Sequence, residues 1–277
     1  MDFAIKMTDV RKDYGTFSLK DFSLEIPRGY VTGLIGSNGA GKSTMMKCIT
    51  GAVIMDSGNV EMGNGMILKD FGVVFDECPF PQYIDCLHLS TIFGKMFDGW
   101  DQRRYLELLS KYGIDQRKKV KDLSRGMSMK LQIAVAFSHP TRFLMLDEPT
   151  AGMDPASRDE FLDDLREYMQ DEDHTILISS HITTDLEKVA DYIVFINGGE
   201  MMVQDEKDRF TETYGIVRHA GECPLDRELI LSVRHHAHGS DYLVGDKAGV
   251  REAYPELVVD DACLEDIMVM IARGSEA

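Results

Sequence analysis

Gly36-Ser37-Asn38-Gly39-Ala40-Gly41-Lys42-Ser43 is the stretch that decides the fold. It fits the pattern G-x-x-x-x-G-K-[ST]. The glycines let the backbone curl so that successive N–H groups point inward. With a helix N-terminus behind them, those donors form a concave anion site. Lys42 is expected to reach the β- and γ-phosphates of a nucleotide. The Ser43 hydroxyl offers oxygen to Mg²⁺, a hard cation. The flanks supply the context that the pattern needs. Tyr30 to Ile35 reads as a buried strand leading into the loop, and Lys42 to Thr50 reads as the helix that follows.

A second stretch further on completes the chemistry. Phe143-Leu144-Met145-Leu146-Asp147-Glu148 is four apolar residues followed by two acids. A buried parallel strand delivers its last side chains to the carboxyl edge of the sheet, where open α/β proteins bind ligands. Asp147 is therefore expected to hold Mg²⁺, directly or through water. Glu148 is expected to orient an attacking water or accept its proton. Loop and acids together specify a P-loop nucleoside triphosphatase.

Around these two anchors the chain alternates between strand and helix. Ala4 to Ile26 reads as strands with a turn at Tyr14-Gly15, and short strands continue to Phe75. From about 79 to 140 the period becomes helical: Ile92, Phe93, Met96 and Phe97 share one spacing, as do Tyr105, Leu108, Leu109 and Tyr112. Its aromatics Phe80, Tyr83, Phe93, Phe97 and Trp100 are either exposed, free to receive a partner, or fill the segment's own core. Alternation resumes with a helix over Pro155 to Met169 and strands over Thr175 to Ser179 and Tyr192 to Ile196, the pattern of a parallel sheet with crossover helices. After about Arg209 the character shifts. Leu229 to Val233 and Tyr242 to Val244 are expected to pair across a turn at Gly239-Ser240, and Leu264 to Ile271 reads as a helix. Two units are expected: 1–210, with the helical segment inserted, and a small accessory element over 211–277.

Composition narrows the function classes. The 277 residues are 44% hydrophobic and 28% charged, the balance of a globular protein. No apolar run approaches the roughly 20 residues that cross a bilayer. The opening Met1-Asp2-Phe3 lacks the basic and apolar regions of a secretory signal. A formal net charge of −17 argues against a nucleic-acid surface. The five cysteines show no zinc-like spacing and read as reduced structural thiols. His235-His236-Ala237-His238 reads as a solvated turn rather than a zinc site, which needs about four ligands of fixed geometry.

The remaining motifs carry a family resemblance. Leu123-Ser124-Arg125-Gly126-Met127 resembles the signature motif of the ABC ATPases, usually Leu-Ser-Gly-Gly-Gln. Pro149-Thr150-Ala151-Gly152-Met153-Asp154 resembles the family's D-loop, and Ser179-Ser180-His181 its switch-histidine segment. Tyr14 stands where the family places an aromatic that stacks on adenine. With the phosphate loop and the acid pair, these occur in the family's order over about residues 10–200.

The resemblance implies an α/β fold: a P-loop, RecA-like parallel-sheet core, an N-terminal antiparallel β subdomain, an inserted α-helical subdomain and a small C-terminal extension. It implies an ATPase using ATP and Mg²⁺, powering transport through separate membrane permease subunits, with the helical segment 79–140 as the surface that contacts them. The family's arrangement is a head-to-tail dimer, a homodimer as the economical form and a heterodimer as the alternative. ATP would lie between Gly36 to Thr44 of one copy and Ser124 and Gly126 of the other. Lys42, Glu148 and His181 would carry catalysis; Asp154 would communicate across the dimer. The chain would sit in the cytoplasm, peripheral on the inner face of the membrane, with no nucleic-acid partner. A soluble ATPase of the iron–sulfur assembly type is the alternative, since it too is a single short cassette.

Two departures stand out. The family usually has a glutamine after the strand that here reads Gly72-Val73-Val74-Phe75; this chain has Asp76-Glu77. Asp76 is the expected substitute, as a nucleotide-site and Mg²⁺ residue, with Gln82 as the alternative. In the signature, Arg125 and Met127 replace Gly and Gln, and Arg125 is expected to face outward or toward the partner. Both departures resemble a bacterial exporter-type branch related to bacitracin-export and acetoin-linked ATPases.

Overall fold

A computed structural model describes residues 2–221 and 223–273. Residues 222 and 274–277, part of the expected accessory element, lie outside them. The first strand, β1 (Phe3–Asp13), pairs antiparallel with β2 (Ser18–Pro27), and the turn closes where Tyr14 N donates to Phe17 O at 2.9 Å. Then follow β3 (Val31–Ile35), α1 (Lys42–Ile49), β4 (Ser57–Met62) and β5 (Phe71–Val74). β4 joins the other edge of β1, giving an antiparallel sheet of order β2-β1-β4. The inward residues of this sheet, Ile5, Met7, Phe22 and Leu24 among them, pack on Met45, Met46 and Ile49 of α1.

The helical segment holds α2 (Cys86–Met96), α3 (Gln102–Lys111) and α4 (Arg125–Ala136). Each begins at a side chain that satisfies an otherwise unpaired amide. Asp85 accepts from His88 N at 2.8 Å, Asp101 from Arg104 N at 2.8 Å and Ser124 from Met127 N at 3.3 Å. Phe80, Phe93, Phe97 and Trp100 fill the segment's interior. The Phe93 ring centroid is 5.4 Å from that of Phe80 and 5.7 Å from that of Trp100, and Phe97 stacks on His139 at 4.1 Å. Of the five aromatics weighed for a partner surface, Tyr83 alone stands out in solvent, 76% exposed.

The chain returns to the central sheet through β6 (Phe143–Asp147), α5 (Pro155–Tyr168), β7 (Thr175–Ser179), α6 (Thr183–Val189), β8 (Tyr192–Asn197) and β9 (Glu200–Glu206). The sheet order is β5-β6-β7-β3-β8-β9, with only β9 antiparallel. Every residue of β3, β6 and β7 is buried. Covered on both faces, such strands need continuous apolar runs, which is why they are readable from sequence.

After α7 (Lys207–Thr213) come β10 (Gly215–His219), β11 (Ile230–His236), β12 (Gly239–Val244), α8 (Lys247–Ala253), β13 (Val259–Asp261) and α9 (Leu264–Arg273). The four strands form an antiparallel sheet of order β11-β12-β10-β13. The expected hairpin is present, but its turn is Ala237-His238, with Gly239 opening β12 opposite His236. Gly239 has φ 145 and sits so close to His219 O that a Cβ would be 2.5 Å away. Its requirement comes from the neighbouring strand β10, not from the Ala237-His238 turn. Short β10 and β13 lack a sequence period of their own and were not anticipated.

Candidate functional site

The carboxyl ends of β3, β5, β6 and β7 meet at one edge of the central sheet, and each contributes a segment there. The loop after β3 wraps the N-terminus of α1. Gly41 takes φ 115 in it, and a Cβ there would lie 2.9 Å from Phe17 Cζ. Gly36 lies against β8, where a Cβ would be 2.4 Å from Ile196 O. The cleft in front of the loop is lined by Ser37, Asn38, Gly39, Gly41, Lys42, Ser43 and Thr44. Asp76, Asp147 and Glu148 line it from the neighbouring strands. Gly36 and Ala40 stand behind the loop and shape it.

Lys42 is buried, with Nζ 2.7 Å from Gly36 O and 3.2 Å from Glu148 Oε1. Glu148 has φ 50, a left-handed conformation unusual for a side-chain-bearing residue. The backbone turn at the end of β6 places Asp147 and Glu148 side by side on the cleft. His181, beyond β7, brings Nδ1 to 2.6 Å and its backbone N to 3.2 Å from Glu148 Oε2. Ser179 knits β6 to β7: its hydroxyl donates to Asp147 Oδ1 at 2.7 Å and accepts from Glu148 N at 2.9 Å. Behind His181, Thr150 donates to buried Asp185 at 2.8 Å.

Asp147 is 5% exposed, and among the described residues no cationic side chain pairs with it. A buried carboxylate lacking a counter-charge is costly. With the Ser43 hydroxyl and the Asp76 carboxylate on the same cleft, this is an all-oxygen donor set that fits a hard divalent cation.

Ser124 and Gly126 lie elsewhere, at the start of α4, in a separate cleft shared with Gly152 and Asp154. Hydrogen bonds from the Ser157 hydroxyl and amide hold the Asp154 carboxyl below its usual range. One chain thus carries two distinct clefts. Tyr14 is half exposed on the β1–β2 turn, under the Lys12 ammonium, and outside the lining of the phosphate cleft. Phe17, three residues on, does line it. Sequence reading did not single out Phe17, although an aromatic immediately before β2 was visible. Gln82 is exposed and bonds Phe80 O at 3.3 Å, while Asp76 reaches the cleft.

Arg125 faces outward, with 63% of its side chain exposed, and within its own chain it forms an ion pair with Asp76 that the sequence did not indicate. The cause is the packing of α4 on β5, which brings two segments 49 residues apart into contact. The histidines near residue 236 have local partners: His235 Nδ1 lies 2.7 Å from Ser240 Oγ and His236 Nε2 lies 3.3 Å from Asp241.

Comparison with known proteins agrees with this geometry. The family model described as ABC transporter matches residues 19–151. The lantibiotic transport ATP-binding protein SrtF of Streptococcus pyogenes is 35% identical, over 74% of this chain and 91% of that protein. The bacitracin transport ATP-binding protein BcrA of Enterococcus faecalis is 29% identical, over 73% of this chain and 69% of that one. Among solved structures, an ATP-binding subunit of an ABC transporter superposes with a TM-score of 0.67 at 23% identity, covering 76% of this chain and 92% of the other.

Proposed function

This chain belongs to the ABC transporter family as an ATP-binding, ATP-hydrolysing subunit that powers transport, and from that premise we propose how its residues divide the work. The observation that carries the reading is the contact of Lys42 and His181 with opposite oxygens of Glu148, at the mouth of the phosphate loop. Backbone N–H groups from Ser37 to Thr44 hold the phosphates. Lys42 exchanges its contacts with Gly36 and Glu148 for the β- and γ-phosphates. Glu148, released from Lys42 and steered by His181, orients the attacking water and accepts its proton. Ser43, Asp147 and Asp76 would hold Mg²⁺, which would supply charge neutralisation at the phosphates.

Two copies close head to tail, so that Ser124 and Gly126 of one meet the nucleotide of the other. The Ser124 oxygen already accepts from Met127 N, and its O–H remains to donate to a phosphate. A homodimer is sufficient, since one chain carries both half-sites. Tyr14 supplies an aromatic face toward the base. No helix among the described residues is long and apolar enough to cross a membrane. We infer from the lantibiotic and bacitracin transport relatives that a separate permease carries the substrate, with this chain peripheral on its cytoplasmic side. The lantibiotic and bacitracin relatives support export of an antimicrobial-type substrate.

Glu148→Gln tests the assignment. Turnover should fall by about 10²–10⁴-fold, the usual loss of a general base. ATP binding should persist, and an ATP-dependent dimer should accumulate on size exclusion. Unchanged turnover would remove Glu148 from the role. Lys42→Ala should weaken ATP binding itself, and normal affinity would remove Lys42 likewise.

A further inference from the structure

Asp76 and Arg125 are two of the positions at which this chain departs from the family pattern, and they are each other's partner. Asp76 lines the phosphate cleft, where Asp147 and Glu148 already supply two carboxylates against the single ammonium of Lys42. A third carboxylate at a site built for a triphosphate opposes binding unless a cation offsets it. The Arg125 guanidinium donates to Asp76 Oδ1. It reaches there from the first turn of α4, whose own cleft is a different one.

The arrangement is supported from behind. Gln132, buried and two helical turns beyond Arg125, clamps the backbone of Phe75: it accepts from Phe75 N at 3.0 Å and donates to Phe75 O at 3.0 Å. Positions seven apart share one face of a helix. One face of α4 therefore holds two consecutive residues, Phe75 by its backbone and Asp76 by its side chain. The clamp fixes where Asp76 begins, and Arg125 fixes where its charge goes.

We propose that Arg125 acts on the nucleotide site of its own chain, as a positioning residue that offsets the charge of Asp76 and ties the start of α4 to the phosphate cleft. This rests on the cleft being the ATP site. The role is distinct from that of Ser124 and Gly126, which serve a second copy. Both partners are substantially exposed, with 63% and 48% of their side chains accessible. Such a pair is screened and weak, so its effect on nucleotide binding is modest and salt-dependent.

The test is a double-mutant cycle on the full chain: wild type, Asp76→Asn, Arg125→Gln and the two combined. Each is titrated with a fluorescent N-methylanthraniloyl ATP in EDTA, so that metal ligation by Asp76 does not contribute. Protein is held at concentrations where light scattering reports a monomer. Arg125→Gln should weaken binding about two- to fivefold when Asp76 is present, the range of a partly exposed charge pair. It should have no effect in the Asp76→Asn background. Arg125→Lys, which keeps the charge, should stay within about twofold of wild type, and added salt should narrow the gap for Arg125→Gln. Equal loss in both backgrounds, loss in neither, or a loss for Arg125→Lys as large as for Arg125→Gln would overturn the inference. If wild type itself binds no ATP analogue, the nucleotide reading and this inference fall together. If wild type binds and the cycle shows no coupling, only this inference falls.

Discussion

Single residues set the chemistry by being held in conformations that cost energy elsewhere. Glu148 sits at φ 50 and Gly41 at φ 115, both in the turns that face the phosphates. Gly41→Ala is the sharper probe. An alanine there meets Phe17 Cζ at 2.9 Å and Leu19 Cδ1 at 3.1 Å, besides adopting a backbone that side chains avoid. Strain of about 1–3 kcal/mol is expected, and opening the loop to relieve it should lower ATP-analogue affinity by about tenfold or more. Titration checks this; affinity within about twofold of wild type would show that the loop tolerates a side chain. Gly41, Lys42, Asp147 and Glu148 were legible in the sequence because each lies in a contiguous motif. Phe17 and the Asp76–Arg125 pair were not: the first has no motif, and the second joins segments that touch only after α4 docks on β5.

Among the elements, α2 depends on its cap. Asp85 accepts from His88 N and lies 2.8 Å from His88 Nδ1, and the bond from that amide holds its carboxyl below the usual range. A depressed carboxyl stabilises the fold above its unfolded value of about 3.9 and loses that contribution as pH falls through the lower folded value. Asp85→Ala should therefore lower the thermal midpoint at neutral pH. The gap from wild type should close only below about pH 4, as followed by circular dichroism. A constant gap down to about pH 3 would point to a neutral packing role. Helices and buried strands were legible in the sequence through their periods. The exposed faces of α2 were not. Ile92 and Met96 share the spacing of Phe93 and Phe97, yet both are exposed, because the interior is filled by the aromatic ladder instead.

Across the whole molecule, the C-terminal element is not a loose appendage. Leu264, Ile267 and Met270 of α9 are buried in the same core as β8 and α6, and Ile216 and Leu243 of the terminal sheet join them. Ile267→Ala removes a fully buried side chain and should cost about 2–5 kcal/mol. Urea unfolding should show one shifted transition; a separate early transition with the main one unmoved would mean that the terminal element folds independently. By itself the sequence determined the phosphate loop, the acid pair and the family, because each is a short run whose meaning is local: backbone curvature, strand burial and charge at a strand end. Tertiary structure alone decided that α9 closes the core, that Phe17 rather than Tyr14 lines the cleft, and that Arg125 answers Asp76. Those outcomes depend on which surfaces meet across many residues, and no local period or spacing encodes such a meeting.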